Sequence, residues 1–159
     1  MKTLIAYYSY NGNTALVAGL LRSMLKADVH EVKLLKDKKR SGPGKFFWAM
    51  SQVPGNKRPA VNPFEAKPEN YDLVILGTPV WAGKPAPVFL SFLDRAKFSG
   101  RKIAVFCCHG GGQGTALEKL KTALAGNTII SENSFVSPAK TNPDELMEKV
   151  RQWTKTLGV

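Results

Sequence analysis

Three times in this chain a short aliphatic run ends in a turn rich in glycine, hydroxyl or amide side chains, and a helical pattern follows. The runs are Lys2 to Tyr8, Asp72 to Gly77 and Lys102 to Cys108. Their turns are Ser9 to Thr14, Thr78 to Pro85 and Cys108 to Gly114. Runs without polar alternation are strands buried on both faces, and such strands belong to parallel sheets covered by helices. After the first turn Leu16, Val17, Leu20, Leu21, Met24 and Leu25 recur at helical spacing, with Arg22 and Ser23 on the other side. A second helix is expected from about Pro85 through Leu93, and a third has Leu117, Leu120 and Leu124 in phase. Val29 to Leu35 alternates imperfectly and suits an edge strand. Thr128 to Val136 is broken by Ser131-Glu132-Asn133, which implies one bulged strand or two short ones. The last helix has Asn142 as its cap, Pro143 in its first turn and Glu145 placed to reach back to the cap. Leu146, Val150, Trp153 and Leu157 form its buried stripe. Five strands alternating with helices predict a doubly wound α/β fold with right-handed crossovers.

Size and composition agree with this. The chain has 159 residues, 43% hydrophobic and 22% charged, which suits one domain spanning 1–159 and excludes the composition of a disordered chain. The apolar run at the N-terminus is too short for a signal peptide or a membrane span, so a cytoplasmic location is expected. Cys107 and Cys108 are adjacent; neighbours in a strand point to opposite faces, so reduced thiols are expected rather than a disulfide or a metal site. The formal charge is +11, and Lys33 to Arg58 holds eight basic residues against one acid, Asp37. Such a patch attracts an acidic protein, a phosphate-bearing ligand, nucleic acid or an anionic surface, or is merely solvated.

Residues 36–68 depart from the βα pattern. Five prolines and three glycines surround one apolar cluster, Phe46-Phe47-Trp48-Ala49-Met50, which predicts a basic loop insertion with a short embedded helix.

The three turns carry the chemistry. In an open parallel sheet, loops that follow strands emerge at one edge, where ligands bind beside the point at which strand order reverses. Ser9 to Thr14 offers a tight glycine, hydroxyls, amides and a helix start at Asn13 or Thr14, which together bind a phosphate through backbone N–H groups and the helix dipole. The loop lacks the lysine of a Walker loop and does not match the G-x-G-x-x-G dinucleotide fingerprint. The competing reading is a turn and helix cap without a ligand.

Ser9-Tyr10-Asn11-Gly12-Asn13-Thr14 resembles the phosphate loop [ST]-x-[ST]-G-N-T of the flavodoxin family, with Asn11 where a hydroxyl is usual. Gly77-Thr78-Pro79-Val80-Trp81-Ala82-Gly83 resembles that family's first isoalloxazine loop, G-x-P-[TV]-[WY]-x-G. The resemblance implies a flavodoxin-like, five-stranded parallel sheet of order 2-1-3-4-5 with helices on both faces, and FMN as cofactor. It carries over Ser9, Tyr10, Asn11, Gly12, Asn13 and Thr14 for the phosphate, and Thr78, Pro79, Val80, Trp81, Ala82 and Gly83 for the ring. Cys108, His109, Gly110 and Gly111 of the third loop complete the expected site, although that loop lacks the acidic residue and the stacking tyrosine usual in the family. Physically, Trp81 beside Gly83 supplies apolar surface and backbone amides for a flat heterocycle, or alternatively anchors the loop. His109 is either a polar contact to the ring or an exposed loop histidine; His30 is structural or at the surface. Phe46, Phe47 and Trp48 are candidates to cover the ring, from this chain or a second subunit.

Two functions are open on this reading, the first preferred and the second its alternative. One is an FMN-binding electron carrier serving a redox partner protein, an acidic one given the basic surface. The other is an FMN-dependent NAD(P)H:quinone or flavin reductase, with NAD(P)H as reductant. A nucleic-acid-binding role is disfavoured because no reader motif is present and aromatics are not interleaved through the basic run.

Overall fold

The computed structural model describes residues 1–35, 43–52, 54 and 57–158. The elements in chain order are β1 (Thr3–Tyr7), α1 (Asn13–Leu25), β2 (Asp28–Glu31), α2 (Pro43–Gln52), β3 (Leu73–Trp81), β4 (Lys84–Pro85), α3 (Pro87–Ala96), β5 (Lys102–His109), α4 (Ala116–Ala123), β6 (Thr128–Val136) and α5 (Pro143–Lys155). Short 3₁₀ turns occupy Pro68–Asn70 and Pro138–Lys140.

The sheet path is β2-β1-β3-β5-β6, all parallel, so the five principal strands run in the expected order 2-1-3-4-5. The addition is β4, two residues that fold back antiparallel on the end of β3. Helices cover both faces. On β5, Ile103, Val105 and Cys107 join the core under α3 and α4, while Ala104, Phe106 and Cys108 join the core under α1 and α5. The adjacent cysteines therefore face opposite layers and are free, as the period of a strand requires.

Gly77 shows why one strand position had to lack a side chain. It is the register partner of Phe106, and a Cβ on it would lie 2.2 Å from that ring. Phe106 can therefore lie across β3 and meet Phe135 and Trp153 edge to face.

Several boundaries differ from expectation. β3 does not stop at Gly77 but continues to Trp81, because β5 pairs Thr78 with Cys107 and Pro79 with Cys108 and β4 then pairs with Val80 and Trp81. α3 starts at Pro87 rather than Pro85, since Pro85 is taken by β4. The second strand is only Asp28–Glu31; the chain beyond it turns to bridge Leu34 with Val61. Thr128 to Val136 is one strand with a register shift, at which Ile130 is passed over between Ile129 and Ser131. Leu16 is exposed, and α1 instead buries Thr14, Val17, Ala18 and Leu21.

Asn142 caps α5, with its Oδ1 accepting from the N–H groups of Asp144 and Glu145 at 3.0 and 3.3 Å. The Glu145 carboxylate does not return to the cap. It pairs with Lys149 one turn on, at 2.6 Å. The helix embedded in the insertion is α2, whereas Lys36, Asp37, Lys38, Lys39 and Arg40 lie outside the described residues, as do the side chains of Phe46 and Phe47. Among the described residues, no helix is long and apolar enough to cross a membrane.

Candidate functional site

The C-terminal ends of β1, β3, β5 and β6 surround a cleft of about 300 Å³. Tyr10, Asn11, Asn13 and Thr14 line it from the first loop, Pro79, Val80 and Trp81 from β3, and Cys108, His109 and Gly110 from the end of β5. The three expected loops thus converge.

At one end is the start of α1. Gly12 precedes it with φ 87, a conformation that glycine adopts without steric cost. Ser9 Oγ accepts from Ala15 N at 3.1 Å, which closes the loop over the first turn. The first turn holds no acidic side chain, so its positive dipole end is uncompensated. Thr14 Oγ1 is buried with no nitrogen or oxygen partner, next to the Cys108 thiol.

Asn13 has a second task. Its Oδ1 accepts from Ala139 N at 2.8 Å, tying the first loop to the loop after β6. That loop is also held by β5, through Ser137 N to His109 O at 2.8 Å. The two ties bring Ser137 and Lys140 to the cleft wall. Neither residue was among the sequence candidates. The available signal was positional: β6 is also parallel, so its following loop must emerge at the same edge.

The β3 end is built as a two-residue hairpin. Ala82 and Gly83 both have positive φ, 48 and 71, which suits the twist of a primed turn, and Trp81 pairs with Lys84 across it. Thr78 is fully buried and serves the hairpin: its Oγ1 accepts from Ala86 N at 3.1 Å and donates to Pro79 O at 3.0 Å. The third loop locks the tip, because Thr115 donates to Gly83 O from its N–H at 2.8 Å and from its Oγ1 at 3.2 Å.

Trp81 is buried and in edge contact with Tyr8, Tyr10 and Trp48, at ring separations of 5.9, 5.1 and 6.1 Å. Trp48 therefore reaches the site from the same chain and braces the aromatic wall; it is not itself a lining residue. Ser9, Gly12, Thr78, Ala82, Gly83 and Gly111 likewise shape the loops without lining the cleft.

His109 Nδ1 is the second buried polar atom at the cleft without a partner. Burial pushes both the Cys107 and Cys108 thiols up to about 12, so neither is a thiolate nucleophile near neutral pH. His30 lies elsewhere, packed between Phe64 and Phe92, with its pKa lowered by burial against an opposing effect of Glu65.

The cleft has an anion-receptive end, comprising the α1 start, Thr14 and Lys140, joined to an apolar wall of Pro79, Val80 and Trp81. A phosphate joined to a flat heterocycle fits that division, and His109 Nδ1, buried without a partner, matches a ligand with a hydrogen-bonding group at the β5 end.

Residues 1–142 match the family described as NADPH-dependent FMN reductase. Among solved structures, a flavoprotein of Lactobacillus acidophilus in complex with FMN is 27% identical, with 96% of this chain and 98% of that chain covered and a TM-score of 0.74. Oxidised flavodoxin 1 of Bacillus cereus is 20% identical, covering 99% and 97%, with a TM-score of 0.57. General stress protein 14 of Treponema denticola, in complex with FMN, is 14% identical, covering 99% and 98%, with a TM-score of 0.58. The last two establish likeness of fold alone. No curated protein sequence matches the chain. The flavodoxin-like fold expected from the motifs stands, but the family is the FMN reductase family rather than flavodoxin itself.

Proposed function

The chain belongs to the NADPH-dependent FMN reductase family, and from that premise we propose that it is an FMN-holding oxidoreductase that takes reducing equivalents from NADPH and delivers them to a quinone or a free flavin. The observation that carries the reading is the cleft itself, which joins an anion-receptive helix start and Lys140 to the Pro79–Trp81 wall.

Bound FMN would supply a two-electron acceptor that no side chain of the cleft can replace. The protein's part is to hold and orient it. The N-terminal turn of α1 and Lys140 neutralise the phosphate, and the Thr14 hydroxyl donates to it. Asn13 keeps the loop bearing Lys140 against the first loop. The hairpin presents the apolar wall for the ring, and its clamp at Gly83 keeps that wall from moving away. His109 offers Nδ1 as the polar contact at the β5 end. The two thiols stay protonated and act only as packing.

The electron-carrier reading uses the same cleft. Its specific support is the charge of +11, which favours docking of an acidic protein partner.

The deciding experiment adds FMN to the purified protein and mixes the complex anaerobically with NADPH or NADH while flavin absorbance is followed. Rapid bleaching is expected for the reductase. Tight FMN binding without bleaching would replace it with the carrier, and failure to bind FMN would overturn both.

A further inference from the structure

A second concavity lies on the other side of the hairpin, in the groove between α3 and α4, with a volume of about 310 Å³. Its walls are apolar, formed by Pro85, Pro87, Leu90 and Ala123, and its rim carries Lys84, Lys119 and Arg58. Among the described residues, no carboxylate lines it. Arg58 is held by Asp94, with Nε 2.7 Å from Oδ2. Among the described residues, Lys84 and Lys119 have no carboxylate within ion-pair distance. Cations gathered on one rim repel one another, and that cost is relieved when an anion comes between them.

The two lysines are also placed by the device that shapes the FMN cleft. Lys84 follows the hairpin's two-residue tip and pairs with Trp81, so the turn that places Trp81 at the first cleft also fixes the backbone of Lys84, which lines the second. Lys119 lies one helical turn after Thr115, with its N–H donating to Thr115 O at 2.9 Å, and Thr115 is the residue that grips Gly83 O. The clamp therefore fixes the spacing of Lys84 and Lys119 while it fixes the wall of the flavin cleft.

We propose that this groove holds the adenine-nucleotide end of the reductant, with phosphate on Lys84 and Lys119 and the adenine against Pro85, Pro87 and Leu90. The proposal rests on the reductase reading. A volume near the lower limit of ligand sites, roughly 300 Å³, suits part of a dinucleotide rather than all of it. The nicotinamide end is left to reach past the shared hairpin to the first cleft.

The test uses the FMN-loaded protein and adenosine 2′,5′-bisphosphate, which has the phosphates and the adenine but no nicotinamide. Calorimetry should show binding that the Lys84→Gln/Lys119→Gln pair weakens about ten- to a hundredfold and that Lys84→Arg/Lys119→Arg retains. The Gln pair should also raise KM for NADPH while leaving the limiting rate of flavin bleaching and the melting temperature unchanged. Unchanged bisphosphate affinity, or unchanged KM with normal bleaching, overturns the groove and leaves the reductase reading intact. Charge-dependent bisphosphate binding in a protein that NADPH never bleaches supports the groove as a nucleotide site while the reductase reading falls. Displacement by equimolar inorganic phosphate at constant ionic strength would overturn the adenine contact, since the apolar walls would then add nothing.

Discussion

Gly114→Ala should damage this protein out of proportion to the methyl group it adds. Gly114 sits at φ +53, and a Cβ there would lie 2.5 Å from both Gly83 Cα and Gly83 O and 2.9 Å from Gly83 C. All three are backbone atoms, so no side-chain rotation relieves the contact. Reaching an ordinary carbon–carbon separation of about 3.5 Å requires the hairpin to retreat by roughly 1 Å. Three costs follow: about 1 kcal/mol for an alanine in the left-handed region, about 1–3 kcal/mol for overpacking, and about 1 kcal/mol for weakening the Thr115 hydrogen bond to Gly83 O. The sum is about 3–5 kcal/mol, or a fall in melting temperature of roughly 6–20 °C for a chain of this size. Gly83→Ala needs little adjustment, because its Cβ would meet only Gly114 Cα at 3.5 Å; its φ of +71 should cost about 1 kcal/mol. Gly111→Ala meets nothing within 4 Å and should change stability by less than about 0.5 kcal/mol. Urea denaturation of the three variants measures the series directly, and FMN titration of Gly114→Ala should show weaker binding because Trp81 moves with the hairpin. If Gly114→Ala is as stable as Gly111→Ala, the contact between the two loops does not constrain the hairpin.

Ala82→Asn relieves strain at φ 48 and should raise stability by a few tenths to about 1 kcal/mol, read as a shift of the urea midpoint at constant slope. Lys140→Met should weaken FMN about three- to tenfold and leave riboflavin affinity unchanged, and the FMN difference should shrink as salt rises; equal losses for both ligands would remove Lys140 from the phosphate end. Both thiols are neutral in the folded state up to about pH 12 but ionise near pH 8.5 when unfolded, so their contribution is complete below pH 8.5 and is lost as pH rises toward 12. The slope approaches about 1.4 kcal/mol per pH unit per thiol, so Cys108→Ala should lose less stability than wild type between pH 8.5 and 10.5; parallel losses in urea midpoint would refute the assignment.

Much of this molecule was written locally. The aliphatic runs at β1, β3 and β5 announced buried parallel strands because no polar alternation interrupted them. Parallel strands in turn oblige their loops to share one edge, so the convergence of Ser9–Thr14, Val80–Trp81 and Cys108–Gly110 followed from the order of residues alone. The opposed cysteines and the Asn142 cap were equally local, being set by the strand period and by a single side chain's reach.

The tertiary structure decided what depends on partners distant in the chain. β3 runs on past Gly77 because β5 pairs with it as far as Pro79 and β4 folds back on Val80 and Trp81, and the β5 partner lies in no window around Thr78. Lys140 and Ser137 enter the cleft through hydrogen bonds from Ala139 to Asn13 and from Ser137 to His109, contacts that bridge well-separated parts of the chain. The motif placed Thr78 and Trp81 at the ring; the fold adds that the Thr78 hydroxyl forms the base of a hairpin and that Trp81, which lines the cleft, is braced by Tyr8, Tyr10 and Trp48. Gly114 carries no pattern that marks it apart from its glycine neighbours, and only the position of Gly83, 2.5 Å from where a Cβ on Gly114 would lie, sets it apart. Local sequence determines backbone preference and burial, whereas close approach between loops is a property of the whole packed chain and becomes visible only when the sheet has brought them to the same edge.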